Sequence, residues 1–210
     1  LSSQRTIIVY DLETSGLRVK DGCEIVQLAA KAINYFNFED HAAGEFCVLL
    51  KPQRPEKAHA KAIEVIGKDL WNRALTEGVE PKVGLAHFME WVNSANDKKK
   101  NFTKPILAGH HTWFDYDFLH ETLEEKGMCD NRDDMPWQQH KAIDTWMLSW
   151  ALFEGDRDVN SLTLDAMAEF CDIKRTSGVH DALEDVRITT SVLRRYMKFL
   201  RECRRRMKKV

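Results

Sequence analysis

The chain contains no CxxC pair and no regular cysteine spacing. Its five cysteines, Cys23, Cys47, Cys129, Cys171 and Cys203, are dispersed over 210 residues. An odd, scattered set excludes a disulfide framework or a zinc ribbon and suits the reduced thiols of an intracellular, cytoplasmic protein. No apolar run approaches the ~20 residues of a membrane span. No basic, apolar, small-residue signal segment opens the chain, so no membrane association is expected. Internal repeats and low-complexity linkers are also missing, which leaves residues 1–210 to be read as one domain, long enough to bury a real core. Strong bulk charge is lacking too, the net value being −2, but the balance is uneven. From Arg194 onward nine Lys or Arg stand against one acid, Glu202, so the body is acidic and the end is basic.

What is present is an alternation of apolar and amphipathic stretches. Residues 6–10, 24–33 (EIVQLAAKAI) and 45–50 (EFCVLL) read as strands, the third stopped by Pro52 and Pro55. Residues 57–71 and 83–93 read as helices, the second with Val83, Phe88, Trp91 and Val92 on roughly one face. A polar loop covers 94–104, including a lysine run at 98–100, and a short buried strand follows at 105–108. A helix over 114–126 turns Phe118, Leu119 and Leu123 inward. A short strand at 141–143 and a helix over 145–153 come next, then a helix capped at Asn160 or Ser161 that runs through Phe170. The final helix, about 182–207, carries Val186, Leu193, Met197 and Leu200 at helical spacing. Three early strands followed by strand–helix alternation predict an α/β domain with a mixed central sheet.

Asp11 and Glu13 lie two residues apart in the first strand, so both project from one face and repel each other. Asp115 and Asp117 lie in GHHTWFDYDFL (109–119), after a strand and at the start of a helix. In HDALEDVRITT (180–190), His180 precedes Asp185 by five residues. Five helical residues do not share a face, but a loop histidine and an aspartate early in the following helix can aim at one point. Carboxylates from separate elements, gathered at strand ends, are what a pair of hard divalent cations requires. Mg²⁺ takes oxygen ligands and keeps positions open for water and phosphate. Two such ions, roughly 3.5–4 Å apart, stabilise the attacking and leaving oxygens of a phosphodiester displacement.

Taken together, DLETSGL (11–17), HHTWFDYDFL (110–119) and HDALED (180–185), with IDTW (143–146) and NSLTLDAMAEF (160–170) between them, resemble the motifs of the DEDDh, DnaQ-like 3′–5′ exonucleases. That family belongs to the ribonuclease H-like superfamily, and the resemblance runs from residue 7 to about residue 200. The resemblance implies a ribonuclease H-like α/β fold, with a mixed sheet flanked by helices. It implies Asp11, Glu13, Asp115 and Asp185 as ligands of two Mg²⁺ ions, for which Mn²⁺ can substitute, and leaves Asp117 outside the ligand set. His180 would be the general base, an ordinary imidazole pKa of about 6.5 being suited to proton transfer at neutral pH. Water would attack the terminal phosphodiester, releasing 5′-mononucleotides from single-stranded DNA or RNA 3′ ends. Thr14, Ser15, Gly16 and Leu17 would lie against the terminal nucleotide. Gly16 would permit close approach or a tight turn, and Leu17 would either wedge against the last base or be buried in the turn. Phe114 would be core or pocket wall. The departure from the family pattern is His111, which stands where Asn is usual and would either contact the nucleotide or hold the turn of its motif.

Other residues have plainer readings. Trp113 and Phe118 read as core or pocket wall, and Trp137, Trp146 and Trp150 as packing. His110 and His111 lack the HxH or HxxxH partner of a transition-metal site. His59, His87, His120 and His140 read as ordinary surface or core histidines. The lysine run is a solvated loop or a touch point for phosphate, and the basic final helix could hold a partner protein or the substrate's far phosphates. A non-catalytic nucleic-acid- or partner-binding module on the same fold is the rival from another class; it would have lost at least one of the five site residues, and all five are present. A proofreading subunit of a polymerase is the rival within the class.

Overall fold

A strand buried on both faces reads in sequence as a nearly continuous apolar run, and β1 (Thr6–Thr14) is such a strand. Ile8, Tyr10 and Leu12 point into one core, Ile7 and Val9 into another on the opposite face. The computed structural model describes residues 5–96, 103–129, 135–176 and 178–207, and the lysine run at 98–100 lies outside them. β1 sits at the centre of a five-stranded sheet with order β3-β2-β1-β4-β5. β2 (Ile25–Asn34) runs antiparallel to β1, and β3 (Asp40–Leu49) antiparallel to β2. β4 (Ile106–Gly109) and β5 (Ala142–Asp144) extend the other side in parallel. The sheet is therefore mixed, as the order of apolar stretches predicts.

Helices α3 (Pro81–Ser94) and α4 (Thr112–Glu125) supply the core on the Ile8 face. There Phe88 packs between Phe46, Trp91 and Trp137, with ring centroids 5.6, 6.3 and 6.0 Å away. The opposite face is covered by α7 (Ala182–Met207), which lays Ala182, Val186 and Leu193 on the sheet. A second stripe of α7, Ile188, Val192 and Tyr196, packs on α6 (Leu164–Phe170) through Met167 and Ala168. α5 (Thr145–Phe153) is joined to α7 by a 2.8 Å bond between the Ser149 and Tyr196 hydroxyls. Asp181 caps α7 by accepting from the backbone N–H groups of Leu183 and Glu184, each at 3.1 Å. Arg204, Arg205 and Arg206 in its last turn complement the negative end of the helix dipole.

Several sequence expectations need correction. The helix expected over 57–71 is a short 3-10 turn (Pro55–Lys57), then α1 (Ala60–Ile66) and α2 (Lys68–Glu77), broken at Gly67, whose φ of 84° takes the chain out of the helix. The third strand starts five residues before the expected 45, at Asp40. Thr163, not Asn160 or Ser161, caps α6, its hydroxyl accepting from Ala166 N at 3.3 Å. Trp113 and Trp150 are exposed instead of packed, while Trp137 and Phe118 are buried as expected. All five cysteines are free thiols. Among the described residues, no helix is long and apolar enough to cross a membrane.

Phe88→Ala should lower the unfolding free energy by about 3–5 kcal/mol, because an unfilled aromatic-sized hole remains between three rings. Urea denaturation measures this; a loss under ~1 kcal/mol would mean that the aromatic cluster is not the anchor of this face.

Candidate active site

Glu13 follows Asp11 on the β1 face that α7 covers, so the Ile7–Val9 stripe becomes acidic at its C-terminal end. Asp115 stands in the first turn of α4, and Asp185 in the first turn of α7. Each helix thus directs its positive end toward a carboxylate. Glu13, Asp115 and Asp185 are buried, and Asp11 is half-buried. Donor atoms of Glu13, His180 and Asp185 all lie within 4.8 Å of one another. His180 Nδ1 is 3.1 Å from Asp185 Oδ2, with about half of the ring side chain open to the cleft. Asp117 is exposed and outside this cluster.

The electrostatics follow from that geometry. Burial, reinforced by the charge of Asp185, pushes the Glu13 carboxyl up to about 8, against the pull of His180 and Arg175. Asp11 is raised by burial and then by Asp115, Glu13 and Asp185; Asp115 is raised by burial and by Glu13, with a backbone hydrogen bond from Leu12 opposing. His180 is shifted up from 6.5 chiefly by its hydrogen bond to Asp185. The cluster is therefore short of positive charge. Its donors are hard carboxylate oxygens, and the buried Asp185 Oδ1 is met by the Arg175 guanidinium. Such a donor set suits a hard divalent cation.

Beyond Glu13 the strand register shifts and the chain turns. Ser15 holds the turn, donating its N–H to Glu24 O and accepting Glu24 N–H on Oγ, both at 2.8 Å; Ser15 O accepts from His59 N at 2.8 Å. Thr14 Oγ1 donates to Gly16 O at 2.7 Å. Gly16 is a close-approach glycine: a Cβ there would stand 2.4 Å from Cys23 Sγ and 3.1 Å from the His59 ring. Leu17 is 72% exposed, which removes the reading of a buried turn residue. Thr14, Gly16 and Leu17 line a cavity of about 320 Å³ together with His59, Val65 and Phe114. His59 is thus a cavity residue, not an ordinary surface histidine.

The turn of the second motif explains His111. It adopts the left-handed conformation, φ 61° and ψ 43°, where Asn, Asp and His are the side chains found most readily after glycine. Its ring stacks on Trp146 with a centroid separation of 5.0 Å, so Trp146 packs, but on the site instead of the core. Asp144 fixes the turn: its carboxylate accepts from His111 N and Thr112 N at 3.3 and 3.1 Å, and from Trp146 N at 2.8 Å as the cap of α5. His110 is structural, with Nδ1 2.9 Å from Thr145 Oγ1 and Nε2 2.9 Å from Leu162 O.

Two supporting residues, Gln27 and Arg175, escaped sequence reasoning, and Asp144 entered it only within IDTW. Gln27, opposite Glu13 in the β1–β2 register, donates to Asp181 Oδ2 at 3.0 Å and accepts from Ala182 N at 2.9 Å, pinning the start of α7. A lone amide inside an apolar strand was its signal. Asp144 was legible as an Asp-Thr pair opening a helix. Arg175 Nη1 lies 2.5 Å from Asp185 Oδ1, and nothing in its polar segment marks it.

Because Glu13 favours its protonated form in the folded chain, the stability it contributes is complete below about pH 4.5 and is lost as pH rises toward about 8. The lowered carboxyls of Asp40 and Glu45, held down by Arg194 and Arg187, act in the opposite sense and only at lower pH. In EDTA, Tm should fall across that window, and Glu13→Gln should make the fall shallower. An identical profile for the variant in differential scanning calorimetry would contradict the buried-acid account.

Comparisons with known proteins place the chain in a family and a fold. The RNase_T family, described as exonuclease, matches residues 8–193. No curated protein sequence matches the chain. Among solved structures, cell-death related nuclease 4 (CRN-4) is similar with a TM-score of 0.75 at 15% identity, over 93% of this chain and 64% of that one. The zinc-bound E. coli ExoI–ssDNA complex gives 0.73 at 17% identity, over 94% of this chain and 43% of that one. The nuclease domain of 3′hExo, a DEDDh family member bound to rAMP, gives 0.70 at 16% identity, over 94% of both chains. The chain therefore spans less than two thirds of the first two proteins and nearly all of the third. The shared architecture is the ribonuclease H-like mixed sheet flanked by helices. With its match over residues 8–193, the chain belongs to the RNase_T exonuclease family, and within it to the DEDDh type whose motifs it carries.

Proposed function

We propose that the chain, read as one exonuclease domain over residues 1–210, is a metal-dependent 3′–5′ exonuclease that releases 5′-mononucleotides. The observation that carries this reading is one juxtaposition. Glu13, His180 and Asp185 converge within 4.8 Å, Asp11 and Asp115 share their field, and a cavity of about 320 Å³ opens beside them. Asp11, Glu13, Asp115 and Asp185 would hold two Mg²⁺ ions, with Mn²⁺ as a substitute. When bound, such ions supply Lewis-acid stabilisation of charge on the phosphodiester oxygens.

The chain's own residues do the rest. Gly16 lines the cavity beside His59, its lack of a Cβ letting Cys23 and the His59 ring pack close against it, while Ser15 holds the turn. Leu17 stands at the rim, 72% exposed, where it can press on the terminal base; Phe114 forms the facing wall, and His111 holds the turn that places Asp115. His180 is held through Nδ1 by Asp185, which leaves Nε2 to take the proton from the attacking water. A terminal nucleotide must be splayed into this cavity, which favours single-stranded DNA or RNA 3′ ends as substrate. The solved relatives include an ssDNA complex and a complex with the ribonucleotide rAMP, so both DNA and RNA belong in the test. A binding module without activity is disfavoured because all five site residues are present and gathered.

End-labelled DNA and RNA oligonucleotides, incubated with Mg²⁺, Mn²⁺ or EDTA, test the proposal. The expected result is a ladder shortening one nucleotide at a time from the 3′ end, absent in EDTA and in Asp11→Ala. His180→Ala should slow turnover about 10²–10⁴-fold, the usual contribution of a general base. Internal fragments, or full activity in Asp11→Ala, would show that the assignment is wrong.

A further inference from the structure

Arg175 reaches the carboxylate cluster, and none of the motifs accounts for it. It lies in the segment between α6 and His180. Its Nη1 is 2.5 Å from Asp185 Oδ1 and 3.6 Å from Glu184 Oε2, and its Nε donates to Asp165 Oδ1 at 2.8 Å. Glu184 Oε1 accepts from both Thr176 N and Thr176 Oγ1 at 2.6 Å, which fastens the same segment to the first turn of α7. The arginine side chain is only 17% exposed. Its Nη1 and Nη2 are buried without a hydrogen-bond acceptor, and Asp185 Oδ1 is buried without a donor. The approach to Asp185 is a close, buried charge contact. Among the described residues, Asp185 is the one carboxylate of the four in ionic contact with an arginine or lysine.

We propose that Arg175 is a built-in counter-cation: it holds Asp185 in the cation-free protein and yields that oxygen when a divalent ion binds, so that it sets the cation affinity of the site. The inference rests on the proposed reading of Asp185 as a cation ligand. A guanidinium 2.5 Å from Oδ1 and a divalent ion on the same oxygen would be like charges at contact distance in a poorly screened cleft, so the two compete. The contact is also built to give way. The Nε bond to Asp165 lies on the other edge of the guanidinium and keeps the side chain tethered when Nη1 leaves Asp185. An arginine that merely tied the segment to α7 would instead support the site, and its removal would loosen cation binding.

Calorimetric titration with Mn²⁺ near neutral pH separates the two, on wild type, Arg175→Gln, Arg175→Met and Lys174→Gln. Lys174 is an exposed neighbouring cation and reports the general field. Arg175→Gln should bind Mn²⁺ about tenfold tighter, an effect equivalent to about 1.4 kcal/mol, and should keep that gain at about 0.5 M KCl, since a buried contact escapes screening. Its Tm in EDTA should fall, and Mn²⁺ should restore it. Arg175→Met, neutral and of similar reach, should give the same tightening if the glutamine variant folds poorly. Lys174→Gln should stay within about twofold of wild type in salt. Unchanged or weaker binding in both Arg175 variants, or equal tightening in Lys174→Gln, overturns the proposal. A wild-type chain that takes up no Mn²⁺ overturns the cation reading itself, and this inference with it.

Discussion

Four carboxylates drawn partly or wholly out of water into one cleft repel each other, and the positions of β1, α4 and α7 are what hold them there. The compensations the protein supplies are small. A carboxylate at a helix N-terminus gains about 0.3–1 kcal/mol, up to ~2 when partly buried, and two of the four have that benefit. Removing a carboxylate from water costs several kcal/mol even after relaxation. The deficit appears as carboxyl groups pushed toward their protonated forms, Glu13 to about 8. Only a further positive charge closes the gap. Arg175 and His180 supply part of it at Asp185, and divalent ions would supply the remainder across the cluster.

The supporting structure is arranged around that strain. β1 is fixed between β2 and β4, so Asp11 and Glu13 cannot withdraw without breaking a ladder. Gln27 bridges β2 to the start of α7, and Asp181 caps the same helix, so Asp185 cannot drift away either. Asp144 performs the equivalent task for Asp115, gathering the backbone N–H groups of the turn that opens α4. The turn after Glu13 is built on the same rigid frame, its backbone bonded to Glu24 and His59. Acid cluster and terminal cavity are therefore one rigid unit.

Much of this was legible in the residues. Alternation along β1 put Asp11 and Glu13 on one face, and helix starts located Asp115 and Asp185. What local pattern could not reveal was set by tertiary contacts. Gly67 divides a helical stretch because its φ is positive, while the residues on either side keep helical propensity. His111 could be read as a nucleotide contact or as a turn residue; its left-handed backbone and its stacking on Trp146 show it in the turn. His59 is drawn beside Gly16 by its backbone bond to Ser15 O, across 44 residues of chain. Arg175 sits in a polar stretch with no periodicity, and only the folded chain brings it to Asp185.

The central claim is that the excess negative charge at the ends of β1, α4 and α7 is a cation site. Anomalous diffraction from a crystal soaked in Mn²⁺ tests it most directly. The account predicts anomalous density bounded by the carboxylates of Asp11, Glu13, Asp115 and Asp185, with Arg175 no longer against Asp185 Oδ1. Density confined to other surface carboxylates, with Arg175 still on Asp185, would contradict it.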